Sequence, residues 1–246
     1  MNNIDRFNEY IKESKNIVFF GGAGVSTESG IPDFRSASGI YNKYNTKISP
    51  EEILSHNFFY QHPRDFYKFY KDKMLYLDAE PNVTHYKLAE LEKIGKLSGV
   101  VTQNIDGLHQ KAGSKKVIEL HGTILDNYCV KCGKHYSVDK IVNSNDNYPV
   151  CDECGYLVRP DVTLYDERLN MEKFNEAIEL ISKADMLIIG GTSLTVAPAC
   201  NLIYDFCGEH LVIINKSSLS EKSMINPDCD IIFNCGLGEI FSKIVI

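Results

Sequence analysis

The chain has 246 residues, with 43% hydrophobic and 24% charged side chains and a formal net charge of -7. This composition is typical of a globular protein and excludes a disordered, collagen-like or coiled-coil chain. The acidic balance argues against direct nucleic-acid binding, because contacts to phosphate need a clustered positive surface. No apolar run approaches the ~20 residues that span a bilayer, and the polar N-terminus is unlike a signal peptide, so we expect a cytoplasmic protein with no membrane association.

In chain order, short apolar runs alternate with helical patterns, which predicts an α/β fold with a parallel sheet and helices on both faces. Predicted strands cover 17–20, 99–102, 117–120, 186–189, 211–214 and 230–233. A capping box at Ser49, followed by Pro50, predicts the start of a helix. Further helices are expected over 65–75, 84–97, 171–184 and 198–206, and residues 31–48 should form a long functional loop.

Four of the eight cysteines have the spacing of a zinc site. They form two C-x2-C pairs, each followed by a glycine that permits a tight turn: Cys129, Cys132, Cys151 and Cys154. Four thiolates would fill every tetrahedral position, so the ion should be structural rather than catalytic. Two disulfides are the alternative, which the absence of an export signal disfavours.

A glycine turn follows the first predicted strand, over residues 21–26. Such a turn lets the backbone approach a pyrophosphate at a helix N-terminus, although a tight turn without a ligand has the same sequence. The dinucleotide fingerprint of dehydrogenases is incomplete, because Thr27 stands at its third glycine and no acidic residue follows at the required distance. An ordinary dehydrogenase is therefore disfavoured.

Longer motifs follow in order: GAGVSTESGIPDFR at 22–35, TQNIDGLH at 102–109, His-Gly at 121–122, the cysteine pairs, GTSL at 191–194 and Asn-Lys at 215–216. With these motifs the chain resembles the sirtuins of bacterial type, which are NAD-dependent protein-lysine deacylases, from about Asn16 to its C-terminus. The resemblance implies a Rossmann-like NAD-binding domain over 1–34, 76–120 and 158–246. A small domain would comprise a helical insert, 35–75, and the zinc module, 121–157.

The resemblance also implies the residues that contact NAD, which sirtuins consume as a co-substrate. Phe34 would cover the nicotinamide site, while Asn104 and Asp106 would hold the ribose and the carboxamide of nicotinamide. Cys235 has buried packing as an alternative role. The implied set is Ala23, Gly24, Thr27, Phe34, Arg35, Gln103, Asn104, Ile105, Asp106, Thr192, Ser193, Asn215, Lys216 and Cys235.

The catalytic residues implied are His121, as the general base that takes a proton through the ribose hydroxyls, and Asn104. A histidine at a strand end also occurs as a purely structural residue, but the Leu-His-Gly context favours the base. An acyl-lysine protein substrate would bind as an extended strand along 158–164. Val162 and Tyr165 would line the lysine tunnel, and Asp166 stands where the family commonly has glycine.

Tyr70 and Lys73 bear on which acyl group the protein would prefer, and they do not decide between acetyl and succinyl or malonyl groups. Sirtuins that prefer succinyl or malonyl groups carry Tyr-x-x-Arg here, whereas a lysine cannot form the bidentate contact of arginine. An aromatic core stripe beside a solvated lysine is the alternative. Deacetylation is therefore the leading hypothesis, with desuccinylation or demalonylation second.

Two other functions are weighed against deacylation. One is protein ADP-ribosyl transfer, and the other is a non-catalytic zinc ribbon that binds a partner. The second predicts a basic surface around the cysteines, whereas the acidic and basic residues of that segment nearly cancel. We expect a monomer.

Overall fold

The computed structural model describes residues 2–34, 36, 39–40, 48–144, 148–217 and 230–246. Within these residues the helices are Asn3–Glu13 (α1), Pro50–Ile53 (α2), His56–Gln61 (α3), Pro63–Lys73 (α4), Val83–Lys93 (α5), Leu108–Lys111 (α6), Asp139–Val142 (α7), Met171–Ser182 (α8) and Leu237–Phe241 (α9). The strands are Ile17–Gly21 (β1), Leu97–Thr102 (β2), Val117–Glu119 (β3), Gly122–Cys129 (β4), His135–Ser137 (β5), Val158–Val162 (β6), Met186–Gly190 (β7), His210–Ile214 (β8) and Ile231–Phe233 (β9).

Six strands form a parallel sheet in the order β3-β2-β1-β7-β8-β9. Every residue of β1 and β7 is buried, as expected of parallel strands covered on both faces. Phe7 of α1, Leu88 of α5 and Phe241 of α9 belong to one core cluster. Ile181 of α8 and Leu202 of a 3-10 helix over Ala199–Asp205 belong to a second cluster. The predicted α/β class with helices on both faces is confirmed.

The remaining strands form a small sheet in the order β5-β4-β6, with antiparallel pairing. A third core cluster joins this sheet to α2, α3 and α4. Phe59 and Phe66 pack edge to face with ring centroids 4.9 Å apart, and the Tyr67 hydroxyl donates to the carbonyl of Val158 at 2.5 Å. The helices between residues 50 and 73 therefore pack on the small sheet rather than on the large one.

The predicted helices differ from the structure in several respects. The helix predicted over 84–97 ends at Lys93, because Gly95 adopts a left-handed φ of 77° and the N–H of Lys96 turns back to the carbonyl of Leu91 at 2.9 Å. The segment predicted as a helix over 198–206 is a 3-10 helix. The sequence did not predict α1, α3, α6, α7 or α9. Most of the loop predicted over 31–48 lies outside the described residues. Among the described residues, none of the helices combines the length and apolarity needed to cross a bilayer.

Two histidines are buried together where α5 meets α6. His85 and His109 are each 1% exposed or less, and their ring centroids are 4.7 Å apart. His85 Nδ1 accepts a hydrogen bond from the Asn82 backbone N–H at 3.2 Å, whereas neither ring nitrogen of His109 has a partner among the described residues. Burial lowers the pKa of His85 to about 4 and, together with the neighbouring His85, lowers that of His109 to about 3.

We expect this pair to make the protein sensitive to acid. Well above pH 6.5 both histidines are neutral in either state, but on acidification the unfolded chain takes up protons that the folded chain does not. Between pH 7 and pH 5 each histidine should lower the free energy of unfolding by roughly 2 kcal/mol. The variant His109→Phe should thus lose about 2 kcal/mol less than wild type over this range. Urea unfolding at both pH values measures the difference, and equal losses would contradict the prediction.

Candidate active site

The candidate site lies at the point where the strand order of the large sheet reverses. β1 and β7 are neighbours, and the chain continues outward from each to opposite edges, which is where parallel α/β sheets bind ligands. The turns that leave the two strands touch: the N–H of Gly24 donates to the carbonyl of Gly191 at 2.7 Å. A Cβ on Gly24 would lie 2.7 Å from the Gly191 Cα, so only glycine fits there. The turn after β1 continues as two short 3-10 helices, not the α-helix N-terminus that was expected.

His121 is held beside this crevice by the backbone that follows β2. Its Nδ1 lies 2.9 Å from the carbonyl oxygen of Gln103, and because a carbonyl only accepts, Nδ1 carries the proton and Nε2 is left as the basic nitrogen. Burial lowers the pKa of His121, and the hydrogen bond to Gln103 opposes that shift in part. His121 is therefore neutral at pH 7, as a general base must be.

Gln103 links His121 to the second glycine turn. Its Oε1 accepts a hydrogen bond from the hydroxyl of Thr192 at 3.2 Å, whereas its Nε2 is buried without a partner among the described residues. A buried donor without a partner is costly. A bound dinucleotide would provide oxygen atoms that can accept a hydrogen bond from the Gln103 amide. The glycine turns would let its phosphates come close to the backbone.

Asn104 and Asp106 are joined through a residue for which the sequence predicted no role. The hydroxyl of Ser26 donates to Asp106 Oδ2 at 2.6 Å and accepts from Asn104 Nδ2 at 3.0 Å. Burial raises the pKa of Asp106, while the hydrogen bonds from Ser26 and from the Leu108 N–H oppose the rise. Ser26 lies within the long glycine motif, so the motif itself was the available signal.

The other predicted cofactor residues lie along the same edge of the large sheet or beside it. Ala23 and Thr27 lie in the 3-10 turns, Thr192 and Ser193 follow β7, Asn215 and Lys216 follow β8, and Cys235 follows β9. Phe34 and Ile105 are half-buried and pack against the third core cluster. Arg35 lies outside the described residues.

Glu28 connects the glycine turn after β1 to the C-terminal segment of the chain. Its Oε1 accepts a hydrogen bond from the Gly238 N–H, 3.1 Å away, at the start of α9. The loop that carries Ala23, Gly24 and Thr27 is thereby fixed to the segment that follows Cys235.

Of the predicted substrate residues, Val162 ends β6 of the small sheet and Tyr165 follows it. The N–H of Thr163 donates to the His121 carbonyl at 2.9 Å, which puts the end of β6 next to the crevice. Val162 is 9% exposed and Tyr165 is 36% exposed. Gly122, the first residue of β4, has a φ of 81°, and a Cβ there would lie 1.9 Å from the Asp161 carbonyl oxygen. Glycine is therefore required at position 122 both by the lack of space for a Cβ and by the backbone conformation.

The loop after β6 is fixed by an ion pair that the sequence did not predict. Arg159 donates to both carboxylate oxygens of Glu167, at 2.8 and 2.9 Å, and the Leu164 N–H donates to the same carboxylate. Burial alone would raise the pKa of Glu167, but the hydrogen bonds from Arg159 and His56 lower it to about 2.

Asp166 adopts a φ of 69°, so it holds the left-handed conformation that glycine adopts most readily.

Tyr70 and Lys73 both lie on α4. Tyr70 is fully buried, its ring stacks on Phe66 with centroids 5.5 Å apart, and its hydroxyl has no hydrogen-bond partner among the described residues. The Lys73 ammonium pairs with Asp72 at 2.9 Å. Tyr70 thus belongs to the aromatic core, as the alternative interpretation expects.

The four predicted zinc ligands come together at the end of the small sheet. Their sulfurs all lie within 4.8 Å of one another, with separations of 3.4 Å for Cys129 and Cys154 and 3.6 Å for Cys132 and Cys151. A tetrahedral zinc with Zn–S bonds of ~2.3 Å needs sulfurs about 3.8 Å apart, so the set fits one ion. All four thiols are free, and the two-disulfide alternative is wrong.

Comparison with known proteins gives consistent results. The model of the Sir2 family matches residues 22–198. A protein of Clostridium tetani named NAD-dependent protein deacetylase is 54% identical over 96% of this chain and 95% of its own length, and one of Thermotoga maritima with the same name is 45% identical over 85% of each chain. A Sir2 structure with a deacetylated p53 peptide and 3'-O-acetyl-ADP-ribose superposes with a TM-score of 0.88, at 40% identity, covering 98% of this chain and 96% of that one. A Sir2 structure with p53 peptide and NAD+ gives a TM-score of 0.84 at 39% identity, covering 99% and 97%.

Proposed function

The chain belongs to the Sir2 family, and we propose that it is an NAD-dependent protein-lysine deacetylase that releases nicotinamide and O-acyl-ADP-ribose. The observation that carries the proposal is the convergence of His121, Asn104 and Asp106 at the crevice between β1 and β7, beside β6. A relative named NAD-dependent protein deacetylase is 54% identical, and related structures hold NAD+, acetylated peptide or acetyl-ADP-ribose.

NAD, when bound, supplies the glycosidic bond whose cleavage releases nicotinamide and exposes the ribose carbon to the acyl oxygen of the substrate lysine. Asn104 and Asp106, held by Ser26, would orient the ribose and the nicotinamide carboxamide. The turn over residues 22–27 offers backbone N–H groups to the diphosphate. Thr192, Ser193, Asn215, Lys216 and Cys235 would bind the adenosine side.

His121 would act as the general base. Its Nδ1 proton is committed to the Gln103 carbonyl, so Nε2 is the nitrogen that would accept a proton from the ribose hydroxyls. The hydrogen bond from the Thr192 hydroxyl would hold Gln103 in place, and Gln103 would in turn keep the His121 ring oriented when NAD binds. The charge develops where water is largely excluded, which strengthens each of these contacts.

The substrate would bind as an extended peptide beside β6, with its acyl-lysine entering between Val162 and Tyr165. The ion pair between Arg159 and Glu167 would hold the rim of this groove rigid. Most of the affinity would come from main-chain hydrogen bonds, so many protein sequences could serve as substrates. A monomeric state, a cytoplasmic location and the absence of direct nucleic-acid binding stay predictions.

We also propose that residues 1–34, 76–120 and 158–246 form the NAD-binding domain, and 35–75 with 121–157 the small domain, with one adjustment. β6 pairs with β4 and its Val158 and Val162 belong to the third core cluster, so 158–164 goes with the small domain. The separate core clusters on each side support this division.

A peptide panel with NAD, in which only the acyl group varies, tests the proposed function. We expect acetyl-lysine to be the best substrate, since the Tyr70 ring is in the core and Lys73 pairs with Asp72. Mass spectrometry should detect nicotinamide and O-acetyl-ADP-ribose. An ADP-ribosylated protein formed without any acyl-ADP-ribose would instead support the transferase alternative.

The same panel applied to Lys73→Ala tests the role of the ammonium. An exposed ion pair contributes ~0.2–1 kcal/mol, so kcat/KM for a succinyl peptide should fall by a factor of roughly 1.4 to 5 while that for an acetyl peptide is unchanged. Lys68→Ala, on the same helix and exposed, is the matched control. Equal effects of both variants would exclude a specific contact between Lys73 and the acyl carboxylate.

A further inference from the structure

The hydroxyl of Tyr136 lies against the zinc-binding sulfurs. Tyr136 is in β5, and its Oη donates a hydrogen bond to Cys151 Sγ at 3.0 Å. The same oxygen accepts from the Asp152 backbone N–H at 3.2 Å, and the Asp152 carboxylate is a second acceptor in contact with the hydroxyl. One phenol proton therefore lies between a metal-ligand sulfur and a carboxylate.

The surrounding charges hold the ring in this position. The Lys134 ammonium pairs with Asp152 at 3.1 Å and with Glu153 at 3.0 Å. Lys134 and Lys140 also lie over the Tyr136 ring, 5.5 and 5.1 Å from its centroid. Cation–π contacts and the ion pairs thus restrict the rotation that would carry the hydroxyl away from the sulfur.

A donor to one of these sulfurs has a physical purpose. Four thiolates carry more negative charge than one zinc ion neutralises, and hydrogen bonds to the ligands reduce this excess and orient the sulfurs. In the described part of the chain, the Tyr136 side chain donates a hydrogen bond to one of the four sulfurs. The Lys131 N–H, 3.4 Å from Cys129 Sγ, is by contrast a backbone donor.

We propose that Tyr136 is a positioning residue of the zinc site, and that its hydrogen bond to Cys151 slows the loss of the metal. The role does not depend on the deacetylase activity, because it concerns only the zinc-loaded fold. Cys132 is exposed and Cys151 is buried. A chelator or oxidant can reach the first directly, so retention of the ion depends on how firmly the buried sulfurs hold it.

The test is the rate of zinc release from the loaded full-length protein to an excess of a coloured chelator. We expect Tyr136→Phe, which keeps the ring and loses the hydroxyl, to release zinc about tenfold faster than wild type. Tyr156→Phe is the matched control: Tyr156 is in the same module, half exposed, with its ring 4.0 Å from the Lys131 ammonium. Equal rates for the two variants would overturn the proposal.

Two further measurements separate the sulfur contact from general packing. Asp152→Ala removes the competing acceptor while Glu153 still pairs with Lys134, so zinc release should be no faster than in wild type. Acceleration equal to that of Tyr136→Phe would mean that Tyr136 acts through the loop, and would overturn the proposal. In the cobalt-substituted protein, the sulfur-to-metal charge-transfer absorption should shift in Tyr136→Phe and stay unshifted in Tyr156→Phe.

Discussion

Replacement of His121 by alanine is expected to lower kcat/KM for deacetylation by ~10²–10⁴-fold, the usual contribution of a general base. The loss follows from the geometry, because Nδ1 is bound to the Gln103 carbonyl and Nε2 is the nitrogen left to accept a proton. Gln103 keeps its contacts with Thr192 and with β1 in the variant, so the fold should survive. Steady-state kinetics and a thermal melt measure both outcomes.

The pH profile gives a second measurement on the same residue. Since burial lowers the pKa of His121 below the ordinary 6.5, wild-type kcat/KM should be level near pH 7 and fall only at lower pH, as the imidazole becomes protonated. His135→Ala is the control: His135 lies on the zinc module, 68% of its side chain is exposed, and it pairs with Asp126. A His121→Ala enzyme with the wild-type rate would disprove the assignment of the base.

Removal of zinc is expected to unfold the small module and abolish turnover. Cys129 and Cys151 are 1% and 2% exposed and form part of the third core cluster, so without the ion the thiols would be left in an apolar interior. A segment of this size cannot build a sufficient core for itself, and zinc binding supplies the missing free energy of folding. A loss of about 5 kcal/mol would lower Tm by roughly 10–20 °C for a chain of this length.

Chelation followed by a thermal melt and a deacetylation assay measures this effect, and added zinc should restore both. Cys207→Ser is the control, because Cys207 is exposed and lies outside the metal-ligand set; the variant should keep its zinc, its Tm and its rate. Zinc-free protein that melts and turns over as the loaded protein does would show that the ion is dispensable.

The features predicted best from the sequence are those that depend on neighbours in the chain. Each predicted strand is present to within two residues at either end, because a strand buried on both faces needs a continuous apolar run. The cysteine set followed from its spacing, and Gly133 and Gly155 indeed adopt the left-handed conformation their turns require, with φ of 74° and 71°.

The features missed depend on contacts between distant segments. Ser26 bridges Asn104 and Asp106 only after β1 and β2 have paired, and Glu167 meets Arg159 only once the loop after β6 has folded back. In the sequence nothing distinguishes Tyr136 from the other tyrosines, because its contact with the cysteines depends on the pairing of β5 with β4. Such contacts leave no periodic pattern in the sequence, whereas the long family motifs identify the segments but not the hydrogen bonds between them.

The contact between the two glycine turns has a consequence for how the molecule assembles. Gly24 and Gly191 lie far apart in the sequence, and the crevice is formed only when their two turns are in contact. Such a non-local contact needs β1 and β7 to pair first, so we expect the cofactor crevice to be completed late in folding. NAD can therefore bind only the nearly complete sheet, and its binding free energy adds to the stability of the whole domain rather than to that of a local loop.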